Sequence, residues 1–193
     1  MVKKQPIVSN ILAGVSLWFI VWVFTQGIFM SEILLNSPLD INISYLLATV
    51  WVLVVLILCV ALLPVFRKDS LPKSKLLWLY FIPFALLLYL PWHYALTLNI
   101  WVYIPMIVIT VFWQDYLTFG VLQSFLAKQS NRNIAATITG VVFLLGHAVF
   151  FLNDLSNPQF VLIGIAGFVF AFSRRYAGNI YIANIIHTLF YLI

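Results

Sequence analysis

The chain has 193 residues, 64% of them hydrophobic and 8% charged, with a mean hydropathy of +1.09 and a formal net charge of +5. That composition excludes a soluble domain and describes an all-α, polytopic membrane helical bundle, of a length that suits one transmembrane domain over residues 1–193. Continuous rather than alternating apolar runs argue against a β-barrel, and the basic residues fall where membrane topology wants them, which turns the charge away from nucleic acid.

The opening MVKKQP is short and basic. The apolar stretch from Ile7 to Met30 is too long for a signal-peptide core and lacks a small-residue cleavage pattern, so it reads as the first span. A loop with Glu32 and Asp40 leads to span two, Ile43 to Phe66, which holds the single cysteine, Cys59. With no partner thiol in the chain, Cys59 says nothing about redox compartment. Arg67, Lys68, Lys73 and Lys75 follow, then span three from Leu76 to Leu90 and an interfacial belt at Pro91, Trp92, His93 and Tyr94. Span four, Leu98 to Ala127, is long enough to tilt or to emerge as an amphipathic end. Lys128 and Arg132 precede span five, Ile134 to Leu152; a turn at Asn153, Asp154, Ser156, Asn157 and Pro158 precedes span six, Phe160 to Phe172, with Gly164 and Gly167 for close packing. Arg174 and Arg175 close that span, and span seven runs from Asn179 to Ile193.

With about seven transmembrane helices, all ten lysines and arginines fall on one side, and Glu32, Asp40 and Asp154 on the other. The positive-inside rule then predicts the N-terminus cytoplasmic and the C-terminus external. A multi-pass protein of the plasma (inner) membrane is expected. No internal repeat or second domain is evident.

The chemistry concentrates in Trp113 to Leu126, WQDYLTFGVLQSFL, where Gln114, Asp115 and Thr118 interrupt a membrane span. Asp115 is the one acid placed in the hydrocarbon layer, at a cost of about 2.5–3.5 kcal/mol on insertion scales, which makes it a functional candidate. His147 and His187 also lie in apolar spans. Counted along their helices, all three sit about 15–20 Å from the cytoplasmic ends, the common depth that one site needs. Helical spacing groups Gln114, Asp115 and Thr118 into one polar patch, and gives stripes of Gly140, Phe143 and His147 and of Asn184, His187 and Tyr191. Two histidines and an acid can also hold a metal, but no His-x-x-x-His pair occurs within one helix, so no metal and no cofactor is expected. An acid paired with a histidine only to fix helix packing fits the same residues.

These residues resemble the CPBP or Abi family, which comprises CAAX prenyl proteases and bacteriocin-processing intramembrane proteases. Its motifs are Glu-Glu-x-x-x-Arg, Phe-x-x-x-His and His-x-x-x-Asn/Asp on successive late spans. Phe143 to His147 matches the second; Gln114 to Phe119, followed by Gly120, is similar to the first, and His187 to Tyr191 to the third. The resemblance covers residues 113–193 and implies a CPBP-like helical core. It also implies peptide hydrolysis by water activated by a carboxylate and a histidine, the other histidine stabilising the oxyanion. The departures are specific. The water-activating glutamate falls on Gln114, whose amide orients water but cannot take its proton. The second glutamate falls on the shorter Asp115, the arginine on Phe119, and the last Asn or Asp on Tyr191.

Two functions stay open. One is a non-catalytic pseudoprotease that binds a partner or substrate protein in the bilayer, as assembly factor, regulator or subunit of a larger complex. The other is an active intramembrane endopeptidase using Asp115, His147 and His187. A transporter or immunity-type subunit is a third, weaker reading.

Overall fold

The computed structural model describes residues 7–31, 36–148 and 156–193. Lys3, Lys4, Glu32, Asn153 and Asp154, and the expected end of span five at Leu152, lie outside the described residues. Nine α-helices with short 3-10 segments, and no strand, make up the described chain.

Helix α1 (Ile7–Val23) runs into a 3-10 turn at Gln26–Met30. Helix α2 (Ile41–Leu62) starts where the Asp40 carboxylate accepts from the amides of Asn42 and Ile43 at 2.8 and 3.4 Å. It stops at Leu62, short of the expected Phe66, because Pro64 has no N–H to continue the ladder; the chain restarts as α3 (Pro64–Ser70) with that proline in its first turn. The third span begins as a 3-10 turn at Lys75–Tyr80 and continues as α4 (Phe81–Tyr89).

The fourth span is one rod of 30 residues, Ile100–Gln129. It comprises α5 (Ile100–Asp115), a π-wound segment (Tyr116–Leu122) and α6 (Gln123–Gln129). At about 1.5 Å per residue it exceeds a ~30 Å hydrocarbon core. Half of its most apolar window is buried, against 11–22% in the other four long spans, so it is the central post of the bundle. Helix α7 (Arg132–Ala148) follows, capped by Asn131. Helix α8 (Pro158–Ala177) is capped by Asn157 and ended by Gly178 at φ 71°, the left-handed conformation that glycine adopts without strain. It is longer than the expected Phe160–Phe172: Gly178 is the stop, and Arg174 and Arg175 belong to the last turn. The chain closes with α9 (Tyr181–Leu192).

Five of these segments are long and apolar enough to cross a membrane. The expected spans five and seven correspond to α7, described as far as Ala148, and to α9, which is apolar and 12 residues long.

Packing around the post follows from residue size. Two indoles pin α1 to it: Trp18 Nε1 donates to Thr118 Oγ1 at 3.1 Å, and Trp113 Nε1 to Thr25 Oγ1 at 2.8 Å. Helices α7 and α8 make the most extensive helix pair. A Cβ on Gly140 would lie 2.7 Å from the Phe168 ring, and one on Gly167 2.6 Å from that of Phe143. Gly164 likewise faces Leu144 at 3.1 Å, so small residues on each helix receive large ones from the other. We expect Gly167→Val to push Phe143 off α8 and cost about 1–3 kcal/mol by overpacking. Unfolding of the purified chain in detergent micelles, followed by tryptophan fluorescence, checks this; an unchanged midpoint would show that α7 and α8 are not in close contact here.

Candidate functional site

Gln114 and Asp115 are adjacent in the last turn of α5, and the winding changes directly after them. The amide of Gln123 reaches back five residues to the Thr118 carbonyl, the signature of a π-segment. Gly120 lies inside this segment, and a Cβ there would meet Ser70 Oγ at 3.0 Å, so glycine lets the end of α3 approach the post. The sequence-based single patch of Gln114, Asp115 and Thr118 is divided by this geometry. Each side chain faces a different helix: Gln114 faces α7, Asp115 faces α9 and Thr118 faces α1. Successive positions are about 100° apart on an α-helix, and π winding shifts the later ones further.

The first cluster is Gln114 with His147. Gln114 Nε2 lies 3.0 Å from His147 Nε2, and His147 Nδ1 lies 2.8 Å from the Phe143 carbonyl oxygen one turn earlier. These neighbours assign a self-consistent tautomer: Nδ1–H donates to the carbonyl and Nε2 accepts from the amide. The Phe-x-x-x-His spacing thus has a local cause, since residues four apart share a helix face. Trp22 of α1 presents its ring to His147 with centroids 5.6 Å apart.

The second cluster is Asp115 with His187 and Asn184. Asp115 is fully buried. One carboxylate oxygen accepts from His187 Nδ1 at 2.8 Å and the other from Asn184 Nδ2 at 2.8 Å. Asn184 Oδ1 in turn accepts from the Tyr80 hydroxyl at 2.7 Å. The result is a continuous chain from Tyr80 through Asn184 and Asp115 to His187. It leaves His187 Nε2 with no hydrogen-bond partner among the described residues.

Between the clusters stands Phe143, its ring centroid 4.4 Å from that of His147 and 6.1 Å from that of His187. Phe170 stacks on His187 at 4.9 Å, and Tyr191 lies 5.8 Å away. Both histidines, Phe143, Phe170 and Tyr191 line one cavity of about 400 Å³, with Gln159, Leu162, Ile163, Ala166 and Phe190. Asp115 does not line it; the carboxylate lies behind His187. Phe119, at the position of the family arginine, is fully buried against Phe143 and Phe170 at 5.5 and 5.7 Å. No cation reaches Asp115 from there: Arg174 bonds the Phe119 carbonyl oxygen at 3.0 Å and Ser124 Oγ at 2.9 Å instead.

Sequence reasoning placed Asn184 on the stripe of His187 but not in the site; its position three residues earlier on an apolar helix was the signal. Tyr80 carried none, because nothing along the chain links span three to α9. Asn184→Leu strands a buried carboxylate oxygen and a half-buried hydroxyl, and should cost about 1–3 kcal/mol. Tyr80→Phe, which removes only the outer link, should cost about 1 kcal/mol. Unfolding midpoints of both variants and the double variant test the coupling, and strictly additive effects would dismiss the chain.

The family model described as "Type II CAAX prenyl endopeptidase Rce1-like" matches residues 95–193. That stretch contains α5 to α9 and every member of the two clusters except Tyr80. Neither the curated proteins nor the solved structures gave a match. With a matching family model over half its length, and several helices long and apolar enough to span a bilayer, this chain is an integral multi-pass membrane protein that belongs to the Rce1-like family of type II CAAX prenyl endopeptidases.

Proposed function

We propose that this chain is a non-catalytic member of its family, which holds an apolar segment of a partner or substrate protein in the cavity between α7, α8 and α9. One observation carries the reading. Where the resemblance sets a water-activating glutamate there is an amide, and that amide occupies the Nε2 of His147. The one carboxylate nearby is committed on both oxygens, to His187 and Asn184, and does not line the cavity. General-base catalysis contributes about 10²–10⁴-fold, so its loss leaves a binding pocket rather than an efficient protease. The cavity walls suit such a role, being mostly apolar side chains with the two histidines, Gln159 and Tyr191 as polar points. The membrane protein held there makes the chain an assembly factor, regulator or subunit. The positive-inside rule supports a cytoplasmic N-terminus.

A second reading rests on the Asp115–His187 pair. A histidine oriented through Nδ1 by a carboxylate presents Nε2 as a base, so His187 backed by Asp115, with His147 beside it, is an alternative route to water activation in an active endopeptidase.

Cleavage of a farnesylated CAAX peptide and of membrane-protein candidates separates the two. The first reading expects the natural chain to match His187→Ala, with no turnover above background. Gln114→Glu, which returns a carboxylate beside His147, should then raise turnover by about 10²-fold or more. Turnover by the natural chain that His187→Ala abolishes would remove the first reading and establish the second.

A further inference from the structure

A second cavity lies away from the histidines, at the end of the bundle where α3, α6, α7 and α8 meet. It measures about 460 Å³, and its charged lining is Lys68, Lys128, Arg132, Arg174, Arg175 and a single acid, Asp69. Five cations from four helices converge on one concavity. Asp69 pairs with Lys128 at 3.5 Å and so offsets one of the five cations, leaving a net positive lining.

One buried polar atom at this cavity lacks a partner, and a half-buried guanidinium beside it keeps one nitrogen free. Gln123 is 3% exposed; its Nε2 donates to the Ala171 carbonyl oxygen at 2.8 Å, and its Oε1 has no hydrogen-bond partner among the described residues. Arg174 commits Nε to Phe119 and one terminal nitrogen to Ser124 and to the Asp69 carbonyl oxygen, leaving Nη1 unbonded among the described residues. The site thus offers clustered cations for an anion and one buried acceptor for a hydroxyl.

The cavity also has an apolar neighbour. The Lys128 ammonium sits 4.9 Å above the Phe66 ring. Phe66 lines a separate cavity of about 250 Å³ among α1, α2 and the central post, walled by Leu17, Val21, Leu63, Leu117 and Phe125. Lys128 and Phe66 therefore form a shared edge between a basic and an apolar concavity.

We propose that the basic cavity binds the phosphate of an anionic phospholipid with a hydroxyl-bearing headgroup, and that an acyl chain of the same lipid lies in the apolar cavity. The phosphate meets the arginines and lysines, as basic pockets at the ends of membrane helices do for lipid headgroups, and the headgroup hydroxyl donates to Gln123 Oε1.

The test uses the full chain, delipidated in detergent, with dioleoyl phosphatidylglycerol, dioleoyl phosphatidylcholine and inorganic phosphate as probes, and native mass spectrometry as readout. Phosphatidylglycerol should bind at least about tenfold more tightly than phosphatidylcholine, which has the same acyl chains. Each exposed cation contributes about fivefold near an anionic surface, so Arg132→Gln with Lys128→Gln should erase most of that preference. Val21→Phe, which fills the apolar cavity, should weaken phosphatidylglycerol without changing the response to phosphate. Equal binding of the two lipids, or a preference untouched by the double variant, overturns the site. Inorganic phosphate displacing phosphatidylglycerol at comparable concentration overturns the lipid source and assigns the cavity to a free phosphate compound. Arg132 and Lys128 are both exposed, so these variants fold like the natural chain, and an unchanged elution volume in size-exclusion chromatography verifies it.

Discussion

A carboxylate with no access to water organises the C-terminal half of this protein. Asp115 is fully buried, and in a low-dielectric interior an unpaired acid is among the costliest groups a bundle can hold. It is tolerated because both of its oxygens are met, by His187 and by Asn184, from the same short helix. Helix α9 is only 12 residues long and buries Tyr181, Ala183, Ile185 and Leu192 beside these polar groups. The two hydrogen bonds set its rotation, and with it the direction in which His187 faces. Tyr80 extends the same constraint to the third span. Hydrogen bonds linked in this way rigidify their surroundings, and losing one member destabilises the rest.

On the other side of the post the constraint is steric. Gly167 lets Phe143 lie against α8, and Phe143 in turn separates the two histidine rings. Phe119 fills the space next to it, fully buried among Phe143 and Phe170. The resemblance sets an arginine at that position, and Phe119 stands there inside an aromatic core. With no guanidinium beside it, Asp115 depends on a histidine and an amide, and the neighbouring position is itself an amide that occupies the other histidine. The polar groups at these positions bridge helices, Gln114 to α7 and Asp115 to α9.

The π-wound segment links the two sides. It follows Asp115 at once, contains Gly120 against the end of α3, and returns to α-winding at Gln123, at the edge of the basic cavity. Gln114, Asp115, Thr118 and Gln123 lie on one continuous rod, yet each faces a different neighbour. A regular α-helix would have stacked Gln114 over Thr118.

Much of this was legible along the chain. The continuous apolar runs fixed an all-helical membrane class, because only helices satisfy their own backbone in lipid over such lengths. The motif spacing singled out Gln114, Asp115, His147 and His187, since polar residues are rare in hydrocarbon and stand out against it. Element ends were read less well: Pro64 and Gly178, rather than the charges near them, decided where α2 and α8 stop. Only the tertiary structure decided the pairing. Which histidine meets the acid depends on how three helices are rotated about their axes, a property of packing between segments far apart in sequence. Nothing in the order of residues states that Asp115 turns to α9 while Gln114, one residue before it, turns to α7.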